Sequence, residues 1–500
     1  MELLISNLAH GFGVALSFEN LLFALLGCVI GTAIGVLPGI GPVATISLLL
    51  PITFGQPATT AIIMLAGIYY GAQYGGSTTS ILLNLPGEVS SVVTTLEGYK
   101  MARKGRAGAA LAIAALGSFF AGTVSTLLVA ASGPLLTQVA LSFGPADYFS
   151  LMLLGLIISA VLAQGSVIKA IGMVVLGVGL GLVGTDVQTG QQRFTFGIPE
   201  LSDGIGFVSI AMGMFGIAEI ILNLERPESR NVLSSKVGSL FLTKEEWKRA
   251  TPSVLRGTVL GSALGILPGG GASLAAFGSY MMERRISKGR HEFGTGAIEG
   301  VAGPEAANNA AAQTSFIPLL TLGIPANAVM ALMVGALIIQ GIQPGPRMVE
   351  AQPDLFWGLI ASMWIGNLML LVINLPMIGL WVKLLQVPYK YLYPSILIFC
   401  SIGVYSLNNN VFDVYQTLLF GIFGYLCSKL RLEPAPMLIG FVLGPMMEEH
   451  LRRAMLLSRG DPAVFIERPI SATLLAIGGI ALLTMLLPTM RKKKEAAMAG

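Results

Sequence analysis

The chain has 500 residues, of which 54% are hydrophobic and only 11% charged, and its mean hydropathy is +0.76. Soluble domains carry about 25% charged residues, so an ordinary soluble enzyme is excluded. The net charge of +4 comes from 30 basic and 26 acidic residues. The basic ones stand in short clusters between apolar runs, which excludes a nucleic-acid partner and points to a lipid bilayer.

No Lys or Arg precedes Lys100. The N-terminus therefore lacks the positive region of a cleaved signal, and its first apolar run is expected to be a retained span. That run is interrupted by Leu37-Pro38-Gly39-Ile40-Gly41, whose helix breakers predict a helical hairpin that enters the membrane and turns back. Next come Tyr69, Tyr70, Gln73 and Tyr74, then Gly75, Gly76, Ser77, Thr78, Thr79 and Ser80, with Asn84 beyond. Consecutive hydroxyls plus an amide inside an apolar stretch offer donors to a carboxylate and oxygens to a small cation. Close helix packing and bonding back to the helix's own carbonyls explain them as well.

Lys100, Arg103, Lys104 and Arg106 mark a cytoplasmic loop by the positive-inside rule. Apolar runs follow at 107–131, 148–163 and 205–222, near the ~20 residues a crossing needs. Segment 225–256 holds seven basic residues and reads as a cytoplasmic linker. Within it Thr243 and Glu246 have capping-box spacing, predicting a short surface helix. The element 31–42 recurs 230 residues later at 261–272, with Pro268, Gly269, Gly270 and Gly271 at the break. A weaker echo relates 75–86 to 312–325. Between them lies 299–321, with Glu305, Asn308, Asn309, Gln313, Thr314 and Ser315. Glu305 is either an interfacial carboxylate or, at membrane depth, a proton or cation site. Runs at 355–382 and 470–488 precede a basic tail.

The predicted fold is an all-α polytopic membrane protein with about eleven full transmembrane helices plus two re-entrant helical hairpins. It divides into a first transmembrane repeat (1–224), a cytoplasmic linker (225–253), a second repeat (254–490) and a basic tail (491–500). The first repeat starts outside and the second inside, so the two are inverted. Lys169, Lys383, Lys390, Lys429 and Arg431 mark further inside loops. Arg452, Arg453 and Arg459 fall outside if 434–447 crosses. Cys28, Cys400 and Cys427 sit in or beside apolar segments and are expected to be free buried thiols.

Enzyme classes drop out one by one. The dipeptide Gly-Lys does not occur, which excludes a phosphate-binding loop, and His291-Glu292 lacks the second histidine of a zinc protease. The aspartates fall in or beside loops, against an intramembrane aspartyl protease. A secondary transporter remains, with a passive carboxylate channel as its rival. The expected binding residues for substrate and co-ion are Pro38, Gly39, Gly41, Gly75, Gly76, Ser77, Thr78, Thr79, Ser80, Asn84, Pro268, Gly269, Gly270, Gly271, Glu305, Asn308, Asn309, Thr314 and Ser315.

The paired Leu-Pro-Gly-x-Gly elements, the run from Gly75 to Glu88, Gly303-Pro-Glu-Ala-Ala-Asn-Asn-Ala and the segment 434–445 with Glu448, Glu449, Arg452 and Arg453 carry a family signature. From about residue 20 to 490 the chain resembles the large membrane subunit of bacterial tripartite tricarboxylate transporters. By analogy, the resemblance implies a cytoplasmic-membrane permease importing di- or tricarboxylates, or aromatic acids, with a sodium or proton gradient and no organic cofactor. It also implies two partners, a small membrane subunit with about four spans and a periplasmic solute-binding protein.

Overall fold

The computed structural model describes residues 2–37, 41–163, 166–186, 188–225, 238–267, 271–384 and 389–486. Among these the architecture is all-helical apart from one two-stranded ribbon, Gly184–Thr185 paired with Gln192–Arg193. Six helical runs are long and apolar enough to cross a membrane: Phe18–Val36, Val89–Gly133, Pro145–Leu162, Phe207–Glu225, Pro353–Asn374 and Val411–Lys429. Shorter apolar helices include Pro42–Thr53, Val167–Gly181 and Ala328–Ile339. A polytopic membrane protein is the architecture these elements build.

Both predicted interruptions are present at their flanks. The helix Phe18–Val36 ends before the first break and Pro42–Thr53 resumes after it; Lys244–Gly265 and Gly271–Ile286 flank the second. The flanking helices are unequal, 19 and 12 residues at the first break and 22 and 16 at the second. Thr243 caps Lys244–Gly265 through the predicted box with Glu246. The surface helix expected there is thus the start of a 22-residue helix that runs unbroken into the hairpin. The run 355–382 is broken instead: Pro353–Asn374 stops short of Pro376, and Ile378–Leu384 follows, since proline disfavours helix in the residue before it. Pro38, Gly39, Pro268, Gly269, Gly270 and the basic tail lie outside the described residues, as does 226–237 of the linker.

Each long hairpin arm packs on the next long helix through glycines that let two backbones touch. A Cβ on Gly27, Gly31 or Gly35 would lie 2.2, 2.4 or 2.4 Å from the carbonyl oxygens of Met64, Ile68 and Ala72 in helix Ala58–Leu83. A Cβ on Gly257, Gly261 or Gly265 would lie 2.2, 2.2 or 2.4 Å from those of Gly303, Ala307 and Ala311 in helix Glu299–Thr314. The glycines recur at a spacing of 230 and their partners at 239. The second spacing continues past the helix ends. Ala58–Leu83 stops at Asn84 (φ 60°) and Phe316–Leu322 at Gly323 (φ 73°), each followed by a leucine or isoleucine and a proline. Glu88 and Asn327 then cap the next helical turns with φ near −150°. The echo read as 75–86 against 312–325 therefore has one fixed offset, which sets Gly75 against Thr314.

Polar contacts tie loops together in two groups. Arg249 binds Glu292 and Glu299, Arg106 binds Glu246, Lys100 donates to the Gly294 carbonyl, Lys429 binds Glu225 and Lys169 donates to the Leu430 carbonyl. In the other group Arg468 binds Asp147, Arg452 binds Asp186 and Glu448, Arg193 binds Glu448, and His10 meets Asp354. In the first group Arg106–Glu246, Lys429–Glu225 and Lys169–Leu430 each join segments that the basic-residue pattern marks as inside; the pattern leaves the side of Arg452 and Arg468 open. Arg452 and Arg468 go with the acid-bearing loops, where carboxylates hold them.

Candidate transport site

Helix Ala58–Leu83 is buried along almost its whole length, so its polar side chains must find partners within the protein. Helix Glu299–Thr314 is buried throughout and rich in alanine, which brings its polar residues close to their neighbours. The two helices meet Val92–Met101 and Ala107–Leu141 around Glu305.

Glu305 has no exposed surface and lies in the second turn of helix Glu299–Thr314, inside the protein. Ser77 Oγ lies 2.6 Å from its Oε2, and the Thr94 hydroxyl donates to its Oε1. Asn308 Nδ2 adds a long 3.5 Å contact to Oε2. Among the described residues no basic side chain bonds to it. Asn309 braces the turn: its Nδ2 donates to Ser118 Oγ at 2.7 Å, to Asn308 Oδ1 at 2.7 Å and to the Glu305 carbonyl at 3.1 Å. Ser77, Glu305, Asn308 and Asn309 thus form one cluster, as their polarity suggested. Glu299, by contrast, is buried against Arg249 and serves the linker.

Beside this cluster is a narrow cleft of about 10 Å³, room for about one water, lined by Tyr74, Ser77, Thr78, Ser118, Asn374 and apolar neighbours. Its polar wall is hydroxyl-rich. Asn374 Nδ2 donates to the Leu370 carbonyl at 2.9 Å, and its buried Oδ1 has no partner. Tyr74 OH donates to Asn367 at 2.7 Å, tying the wall to helix Pro353–Asn374.

The other expected residues serve different ends. Thr79 donates to the Val36 carbonyl and Ser80 to the Ser91 carbonyl, both holding helices together. Thr314 and Ser315 bond back to carbonyls of their own helix. Gly75 is a contact glycine against Thr32, while Gly76 leaves room for Glu88. Asn84 is exposed and takes the left-handed cap position rather than joining the cluster. Gly41 caps Pro42–Thr53. Gly271 (φ 50°) lies beside Asn327, which in turn approaches Tyr69.

The sequence reading passed over Thr94, Ser118, Asn374, Glu88 and Asn327. Glu88 and Asn327 occupy matched positions after Pro86 and Pro325, a signal the repeat offset contains once its length is known. Thr94, Ser118 and Asn374 carry no local signal, because tertiary packing alone brings them to the site.

The family model described as the tripartite tricarboxylate transporter TctA family matches residues 21–439. The chain is 61% identical over 492 residues to an uncharacterized 52.8 kDa protein in the TAR-I ttuC' 3' region of Agrobacterium vitis, covering 98% of each chain. It is also 63% identical over 235 residues to an uncharacterized protein in the TAR-II ttuC' 3' region of the same organism, covering 47% of this chain and 97% of that one. No solved structure matches it.

Proposed function

This chain belongs to the tripartite tricarboxylate transporter TctA family, and from that premise we propose that it is the permease subunit of a secondary active importer of di- or tricarboxylates. A small membrane subunit and a periplasmic binding protein complete the transporter, which sits in the bacterial cytoplasmic membrane. The binding protein delivers the acid to the outer face, and a sodium or proton gradient drives uptake. The chain crosses the membrane about eleven times and adds two re-entrant hairpins. Its inverted repeats move against each other to expose the site alternately.

The observation that carries this reading is Glu305. A carboxyl group buried inside a membrane protein with only hydroxyl and amide partners is expensive to keep unless an ion cycle uses it. It also joins the two repeats, because Ser77 and Thr94 come from the first and Glu305 from the second. The cleft beside that group holds about one water in this conformation, so substrate passage needs the junction to open. The matched glycine contacts make each hairpin arm and its partner helix a stiff pair, which favours movement of whole units.

Substrate counterflow tests the reading. Vesicles holding this chain and the small subunit are preloaded with unlabelled carboxylate, and labelled acid is added outside with the binding protein. Transient accumulation of label is expected for alternating access. Simple equilibration, with no overshoot, would assign the chain to the channel class.

A further inference from the structure

The coupling ion is identified by a count of hydrogens around Ser77, resting on the transport reading above. Ser77 Oγ lies 3.0 Å from the Gln73 carbonyl oxygen and 2.6 Å from Glu305 Oε2. A serine hydroxyl has one hydrogen to donate and lone pairs to accept with. Facing two acceptors, it satisfies one and leaves two oxygens in bare contact across the other. If Oε2 itself carries a hydrogen, both contacts become hydrogen bonds: Glu305 donates to Ser77, and Ser77 donates to the Gln73 carbonyl. That carbonyl cannot be flipped to become a donor, as a side-chain amide can. Thr94 continues to donate to Oε1 in either state.

Among the described residues the surroundings supply no countercharge. Along helix Val92–Met101, Glu97 is occupied by the Tyr280 hydroxyl and the N–H groups of Gly294, Gly296 and Ala297. Across Gly303, Glu283 is held by Arg256, and Arg249 is taken by Glu292 and Glu299. On Ala58–Leu83 and the turn after it, the titratable groups that feel Glu305 are Tyr74 and Glu88; neither can supply a positive charge. Lys100 is engaged at the Gly294 carbonyl, and Ala107–Leu141 contains no charged residue. A buried charge without a partner neutralises itself.

We propose that Glu305 is the site of the coupling proton, carried on Oε2 and donated in a hydrogen bond to Ser77 across the junction of the two repeats. Release of that proton leaves a buried carboxylate with no basic side chain bonded to it among the described residues, and its desolvation cost favours a conformation that opens the junction to water. Substrate movement is coupled because the same hydroxyl, Ser77, lines the cleft.

Two measurements test this. In vesicles of the chain with its small subunit, the loaded binding protein is added outside and lumenal pH is followed with a trapped dye. An imposed pH gradient, alkaline inside and free of sodium, is expected to drive accumulation of labelled carboxylate, with substrate-dependent acidification of the lumen. Glu305→Gln is expected to abolish both. Accumulation that needs a sodium gradient, without lumenal acidification, would overturn the proton assignment and leave the transporter reading standing. Persistent acidification in Glu305→Gln would also overturn it. Absence of both accumulation and counterflow would overturn the transport reading and the inference with it. The second measurement needs no transport: the purified wild-type chain near neutral pH should show an infrared carbonyl band of a protonated carboxylic acid that Glu305→Gln removes. No such difference would refute a proton on Glu305 in this conformation.

Discussion

Ser77 and Glu305 stand 228 residues apart in the chain and 2.6 Å apart in the fold, with both side chains buried. One belongs to the hydroxyl cluster of helix Ala58–Leu83 and the other to the amide-rich helix Glu299–Thr314. Their contact makes these two sequence features a single site. The bracing around it is correspondingly sensitive. Asn309→Ala removes three contacts made by one amide nitrogen and leaves Asn308 Oδ1 and Ser118 without their donor. The expected cost is about 1–3 kcal/mol, seen as a lowered melting temperature of the detergent-solubilised chain together with slower uptake. Wild-type stability would show that the amide does no bracing.

The glycine contacts predict matched damage in the two repeats. In Gly31→Ala the new Cβ meets the Ile68 carbonyl at 2.4 Å, and in Gly261→Ala it meets the Ala307 carbonyl at 2.2 Å. A backbone atom cannot swing aside as a side chain can. Each substitution should cost about 1–3 kcal/mol, read as loss of thermal stability. Gly13→Ala and Gly172→Ala, where no atom lies within 4 Å, should leave the protein near wild type. Equal tolerance at all four positions would contradict the close packing.

Much of this was legible before any coordinates. Apolar run lengths set the fold class, and Pro and Gly marked the two breaks, since both act through local backbone chemistry. The polar clusters were legible as clusters because hydroxyls and amides are rare in apolar helices. What each member does was not. Thr79, Ser80, Thr314 and Ser315 have the same chemistry as Ser77, and only the neighbouring helix decides which of them meets a carboxyl group. Asn84 reads as a ligand in one dimension and is a left-handed helix cap in three. The burial of Glu305 depends on helices far away in the chain, so its own flanks could not reveal it.

Loop pairing predicts which surfaces share a side. Gln191 and Glu467 lie exposed in segments joined to the Asp186–Arg452 and Asp147–Arg468 pairs, whereas Lys244 lies exposed on the linker helix. Cys28, Cys400 and Cys427 are buried, so background labelling should be low. With a membrane-impermeant maleimide on intact cells, Gln191→Cys and Glu467→Cys should label, and Lys244→Cys only after permeabilisation. Labelling of Gln191→Cys with protection of Glu467→Cys would break the assignment.

The connector after Val167–Gly181 has a defined pH response. The Gln188 N–H, the Thr189 hydroxyl and Arg452 hold the Asp186 carboxyl down to about 2, below the ordinary aspartate value near 3.9. A carboxyl lowered on folding contributes stability above its unfolded value and loses it as pH falls through the folded one. Hydrogen-exchange protection of 185–204, corrected for intrinsic rates, should stay constant from about pH 7 to 4 and fall only below that. Loss of protection near neutrality would mean the cluster does not hold the connector.

The central claim is energised, binding-protein-dependent carboxylate import, and the most direct measurement is uptake by vesicles containing this chain with its small membrane subunit. Citrate, a C4-dicarboxylate and an aromatic acid are each supplied outside with the matching loaded binding protein, under imposed proton or sodium gradients. The account predicts that one of these acids accumulates above its outside concentration, and that omitting the binding protein abolishes the accumulation. Equilibration without accumulation under every gradient, with the subunits verified as assembled, would contradict it.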